Sequence, residues 1–159
     1  MNFSNEQSIV NSIKKTRIFL LDLVKDLSLS QLNKIPPGFN NNIIWNLGHM
    51  VASLQGMCYR RAGLPLSVDE KYILPFDSGT KPGAELDIME VATIKELFLS
   101  SVDQLNSDLQ NNLFTTYNTW TTRSGIELAD IAAALQFCMY HEGVHSGYVM
   151  AMKRTVNNG

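Results

Sequence analysis

The chain has 159 residues, a formal net charge of −2 and an isoelectric point near 5.9, which suits one domain spanning 1–159 and offers no basic stripe for nucleic acid. Hydrophobic residues make up 45% and charged residues 18%, enough apolar surface for a packed core and too little charge for a disordered chain. No apolar run reaches the length of a membrane span, and Met1 to Glu6 lacks the basic, apolar and small-residue order of a secretory signal, so a cytoplasmic protein with no membrane partner is expected.

The first helix is expected to open at Ser4, where Ser4-Asn5-Glu6-Gln7 matches a capping box. Ile9, Ile13, Phe19, Leu20, Leu23, Val24 and Leu27 carry it at helical spacing to about Leu29. Ser30 to Asn42, with Pro36-Pro37-Gly38 and an asparagine triplet, reads as a loop ending in an N-cap at Asn41 or Asn42. A second helix follows from Ile43 to about Ala62, closed by Gly63 and Pro65. Leu64 to about Asp87 holds Pro65, Pro75 and Pro82 and little periodicity, the mark of a long crossover. The third helix spans about Ile88 to Leu109, and Leu113 to Arg123 is an irregular connection or a short extended pair. Ser124-Gly125-Ile126-Glu127 reads as a capping box opening a fourth helix that runs to about Val156. Four amphipathic helices with one long crossover between the second and third predict an all-α four-helix bundle. Cys58 and Cys138 both fall among apolar helical neighbours, where reduced buried thiols are commonest, so no disulfide framework is expected.

The chemistry-bearing motif is His141-Glu142-Gly143-Val144-His145 in the last helix. Imidazoles four residues apart share a helix face and can hold one metal ion. The only other histidine, His49, lies in the second helix, so a three-histidine site joining two helices is the simplest reading. A zinc peptidase takes a further ligand downstream, and Ser146 to Gly159 contains no His, Asp, Glu or Cys, nor does the chain show strands for a substrate-aligning sheet. The plainer alternative makes each histidine a hydrogen-bonded residue near the core. Glu142 points about 100° round the helix from His141, either as a general base or as a hydrogen-bond partner. Cys138, one turn earlier, is within reach of the ion or is a small buried hydrophobe. Gly143 and Gly147 lower helix propensity, a cost to be offset either by close approach of another helix or by room for substrate. Trp45 and Tyr148 are candidate pocket-lining residues, and Tyr140 and Met150 are read as packing.

Asn42-Ile43-Ile44-Trp45-Asn46-Leu47-Gly48-His49-Met50, together with His141, His145 and the trailing Ser146-Gly147, resembles the DinB-like superfamily, also described as metal-dependent hydrolases. Leu29-Ser30-Gln31-Leu32 ahead of Pro36-Pro37-Gly38 is similar to that family's first interhelical loop. The resemblance implies an up-down-down-up four-helix bundle, often a homodimer, binding zinc or nickel through His49, His141 and His145. Many members carry a glutamine where Tyr148 stands, so a substrate contact by that glutamine does not carry over. Relatives include thiol S-transferases using bacillithiol or mycothiol and a thiol-dependent isomerase. A small-molecule substrate and a low-molecular-weight thiol are therefore implied, with hydrolysis and S-transfer both open. A non-catalytic metal-binding or stress-associated bundle, or an interaction module without metal, are the competing readings. For an acidic thiol, Arg60, Arg61, Lys153 and Arg154 are the candidate cations.

Overall fold

The computed structural model describes residues 3–157 and is mostly helical. Four long helices make its frame: α1 (Phe3–Leu23), α3 (Ile43–Leu54), α4 (Ile88–Gln110) and α5 (Ile131–Asn157), with a short α2 (Leu29–Asn33) between the first two. Helix α1 packs on α4 and α5, and α3 packs on the same two helices. None of the described helices is long and apolar enough to cross a membrane.

Local chemistry explains where these elements start. Helix α1 already includes Ser4, whose side chain lies outside the described residues, so the capping box expected there has no described counterpart. The helix stops at Leu23 rather than near Leu29, because Ser28 and Gln31 form a reciprocal capping box that nucleates α2 inside the expected loop. Asn42 caps α3, its side chain accepting the Trp45 N–H at 2.8 Å. Asp87 and Glu90 cap α4 in the same reciprocal way.

The start of the last helix corrects a sequence expectation. Ser124 to Glu127 does not cap it: Glu127–Leu128 (β2) pairs antiparallel with Trp120–Thr121 (β1), with Gly125 at φ +81° in the connecting turn. Asp130 supplies the cap instead, through its carboxylate on the Ala133 N–H at 2.8 Å.

Helix α3 is buried on almost every side, the pattern of a central helix rather than an amphipathic one. Its last turn widens into a π-helical stretch, Gln55–Arg60, and ends in a Schellman motif: Leu64 N–H bonds Tyr59 O, Gly63 N–H bonds Arg60 O, and Gly63 sits at φ +72°. The crossover then folds back through two 3₁₀ turns, Glu70–Tyr72 and Leu74–Phe76, onto α3.

Gly48 makes that return possible. A Cβ there would stand 2.5 to 2.8 Å from ring atoms of Phe76. Gly48→Ala is therefore expected to push the Phe76 segment off α3 and destabilise the fold by about 1–3 kcal/mol, the range for overpacking. Urea denaturation checks this, and an unchanged midpoint means that the ring moves aside without cost.

Two apolar clusters fill the interior, one around Leu20, Met50, Phe98 and Val149 and the other around Ile13, Leu54, Val102 and Leu135. Where they meet, Arg17 is wholly buried and binds all the long helices. It donates to both Glu142 carboxylate oxygens on α5, to the carbonyl of Met50 on α3, and to the Phe98 carbonyl and Ser101 hydroxyl on α4. Cys58 and Cys138 are buried free thiols with sulfurs 3.9 Å apart. Phe19, Tyr140 and Met150, read as packing residues, are instead 53%, 61% and 37% exposed, since apolar spacing does not tell which stripe of a helix meets a neighbour.

Candidate metal centre

His49 on α3 and His141 and His145 on α5 converge, with one candidate ligand nitrogen from each ring lying within 4.8 Å of the others. Ring centroids are 4.4 Å apart for His141 and His145, 4.7 Å for His49 and His145, and 5.2 Å for His49 and His141. Nitrogens this close suit a single ion about 2 Å from each.

Hydrogen bonds behind two of the rings set their tautomers. The Nδ1–H of His49 donates to the Phe76 carbonyl at 2.7 Å, which leaves Nε2 as the lone-pair nitrogen, 3.2 Å from the Ser53 hydroxyl. The Nδ1–H of His145 donates to Asn46 Oδ1 at 2.8 Å, and the Asn46 amide is itself anchored on Asn41 Oδ1 and the Asn42 carbonyl. Outer partners of this kind orient metal-binding histidines. Trp45 stacks on His49 with centroids 4.7 Å apart and an interplanar angle of 8°, its indole N–H on Thr80 Oγ1.

Electrostatics favour the uncharged, ligating form of each imidazole. Burial lowers the pKa of His49, against the Phe76 carbonyl and Asp77, which raise it. Burial, then the neighbouring His145 and His49 and the charge of Arg17, bring His141 to about 3. His145 is brought to about 4 by burial and by His49. At neutral pH the rings therefore offer lone pairs with no proton to displace.

Glu142 does not join them. The residue is 2% exposed, and its carboxylate is held by Arg17, at 2.7 Å from Nη2 and 3.1 and 3.2 Å from Nε. Burial raises its pKa, while the charge and N–H groups of Arg17 act in the opposite direction. An oxygen used up in this way is directed at the core, not at a reacting group beside the imidazoles. Cys138 likewise faces Cys58, and that contact together with burial raises its thiol pKa. The reading of Gly143 and Gly147 as a helix-packing pair fails, since a Cβ at either meets nothing within 4 Å.

Two hollows flank the cluster. A cleft of about 390 Å³ reaches His49 and His141 and runs past Arg60 and Arg61 at the end of α3 to the β1–β2 hairpin. A smaller hollow of about 330 Å³ reaches His145 and is lined by Trp45 and Tyr148; Tyr148 is half exposed, with its ring 6.2 Å from that of His145 and edge-on to Phe39. Lys153 and Arg154 are not among the walls of the larger cleft, and Lys153 instead bonds the Leu23 carbonyl.

Sequence reasoning missed Arg17, Asn46 and Arg123, the last a wall of the larger cleft. Arg17 carried a signal: Ile13, Arg17, Leu20 and Val24 lie on one stripe at helical spacing, and a charge inside an apolar stripe requires a buried partner. Asn46 and Arg123 carried none, because their roles depend on what folds against them.

An all-α frame with three neutral histidines flanked by two hollows defines a helical protein with a site that could hold a divalent metal ion. Residues 13–149 match the sequence model of the DinB superfamily, and the chain belongs to that superfamily. No curated protein matches the chain.

Proposed function

We propose that this protein is a metal-dependent enzyme in which His49, His141 and His145 hold zinc or nickel and a small molecule reacts in the adjoining cleft, by hydrolysis or by S-transfer from a low-molecular-weight thiol. The observation that carries the reading is the convergence of three uncharged imidazoles, two of which, His49 and His141, line an open cleft of about 390 Å³. The bound ion would supply Lewis acidity, enough to make water or a thiol nucleophilic near neutral pH.

The chain's own residues supply position and shelter. Phe76 and Asn46 hold two rings in the ligating tautomer. Trp45 covers one face of His49, and Ser53 places a hydroxyl beside its Nε2. Glu142 serves to orient its helix through Arg17, so proton transfer falls to the nucleophile's own equilibrium or to a substrate group. Three ligating side chains leave coordination open to other molecules, which separates this set from a closed structural site.

The same reading includes an up-down-down-up bundle, which the packing of α1 and of α3 each against α4 and α5 supports, a single domain over 1–159, a homodimer and a cytoplasmic location. A non-catalytic metal site is the second reading, and the opening of a cleft of about 390 Å³ onto His49 and His141 argues for the enzyme.

Gly56 separates the two experimentally. It lines the cleft, and a Cβ there meets nothing within 4 Å, so Gly56→Phe starts a side chain into open space without altering a histidine. The metal-loaded protein is screened against activated esters and against thiols paired with electrophiles. Turnover that disappears on chelation, returns with zinc or nickel, and is lost in Gly56→Phe at unchanged metal content is the expected result. Turnover insensitive to both the chelator and the phenylalanine places the chemistry elsewhere.

A further inference from the structure

The larger cleft has a second charged feature besides the histidines. Arg60 and Arg61 from the end of α3 and Arg123 from the hairpin turn all line it, and Asp77 is the one carboxylate among its walls. Three guanidinium groups facing one carboxylate make this a locally positive hollow on a chain whose overall charge is −2.

These cations differ in how firmly they are held. Arg61 lies with its guanidinium carbon 4.9 Å from the centroid of Trp120, and its backbone carbonyl accepts the Asn118 N–H at 2.7 Å. That stack orients a planar fork of donors ahead of any ligand. Arg60 meets Asp77 only at 3.5 Å, both side chains being more than two-fifths exposed, a contact weak enough to exchange for an incoming anion. The walls shared by the arginines and the histidines also include the apolar side chains of Met57, Trp120 and Phe137.

We propose that the cleft recognises small molecules bearing a carboxylate or phosphate group, held by Arg61 and Arg123 with help from Arg60, joined through an apolar body to the bond that reacts at the histidine end. This rests on the reading of the histidines as the reactive end, but the arginine rim is open to a separate test. Guanidinium groups match the two-oxygen geometry of both anions, and each charge-assisted hydrogen bond lost weakens binding by about tenfold or more.

The experiment is calorimetry on the zinc-loaded full chain with benzoate, phenyl phosphate and the uncharged benzamide, with zinc content measured in parallel. At least one anion is expected to bind about tenfold or more tighter than benzamide, and the tighter of the two identifies the preferred head group. Arg61→Gln and Arg123→Gln are each expected to weaken that anion by about tenfold without changing benzamide binding or zinc content. Arg123 lies exposed on the hairpin turn, so its variant remains informative even if Arg61→Gln fails to fold. Equal binding of benzamide and both anions overturns the proposal, as does wild-type anion affinity in Arg123→Gln and Arg61→Gln. A third measurement uses His141→Ala. Arginine-dependent anion binding that survives in this variant supports the rim even where no zinc binds. Binding lost in His141→Ala and untouched by both arginine variants puts the anion on the histidines and overturns the rim.

Discussion

If the proposed site holds, purified His141→Ala is expected to bind far less zinc or nickel than the wild-type protein under the same loading, while its helical content and thermal transition stay close to wild type. His141 lies 4.4 Å from His145 and 5.2 Å from His49 between ring centroids, so its removal leaves two donors where three converge. The scaffold should tolerate the change, because the ring is only partly buried beside an open cleft and alanine favours helix more than histidine does. Each substitution also relieves crowding among uncharged rings instead of orphaning a charge. His49→Ala and His145→Ala should lose metal likewise. Asn46→Ala is expected to be milder, lowering affinity by about 10- to 100-fold, since it frees the Nδ1–H of His145 without deleting a donor. Elemental analysis together with circular dichroism reads all of these, and undiminished metal in a correctly folded histidine variant removes that residue from the ligand set.

Arg17→Met is expected to have the largest effect on stability. The guanidinium is wholly buried and pairs with Glu142, whose side chain is 3% exposed. Deleting the cation leaves a carboxylate in the core with no opposite charge, together with the carbonyls of Met50 and Phe98 deprived of a donor. Breaking a buried pair in this way costs about 3–5 kcal/mol, a large fraction of a domain's total stability. Replacing both partners with apolar groups, as in the double variant Arg17→Met with Glu142→Leu, is expected to recover much of that loss, because no charge is then stranded. Denaturant midpoints for the two single variants and the double variant form a complete cycle. Additive losses in that cycle would mean that the pair does not act as one unit. Arg17 also ties Met50 and Glu142, the immediate neighbours of His49 and His141, to one rigid group. A partially recovered double variant with weakened metal binding would show that the pair matters more for the register of α3 against α5 than for stability.

The arginine pair illustrates which parts of the fold were legible in the chain and which were not. A charge in the stripe of Ile13, Leu20 and Val24 signals a buried partner, but nothing local identifies Glu142, 125 residues away, as that partner. Helix starts were legible where no other pairing competes for the capping residues, as in the asparagine triplet, which left Asn41 or Asn42 as the cap and in which Asn42 takes the role. They were misread where two chemistries compete: Ser124 to Glu127 fits a capping box, yet its residues gain more by pairing Glu127–Leu128 with Trp120–Thr121, and Asp130 takes over the cap. The π-helical turn at Gln55–Arg60 has no local sequence rule behind it. It coincides with the Gln55 side chain bridging both the backbone N–H and the hydroxyl of Ser67 in the returning crossover.

By itself the sequence determined the helical character of the chain, the four long segments and the ligand candidates, because capping, apolar spacing and the four-residue step between His141 and His145 are local properties of one helix. Tertiary structure alone decided that His49 meets them, that Phe76 and Asn46 orient the rings, that Glu142 turns to Arg17 and that Arg61 and Arg123 share a cleft with the histidines. Those outcomes depend on the rotation and offset of α3 against α5 and on where the crossover folds back, quantities set by packing between distant segments and not written in any short stretch of residues.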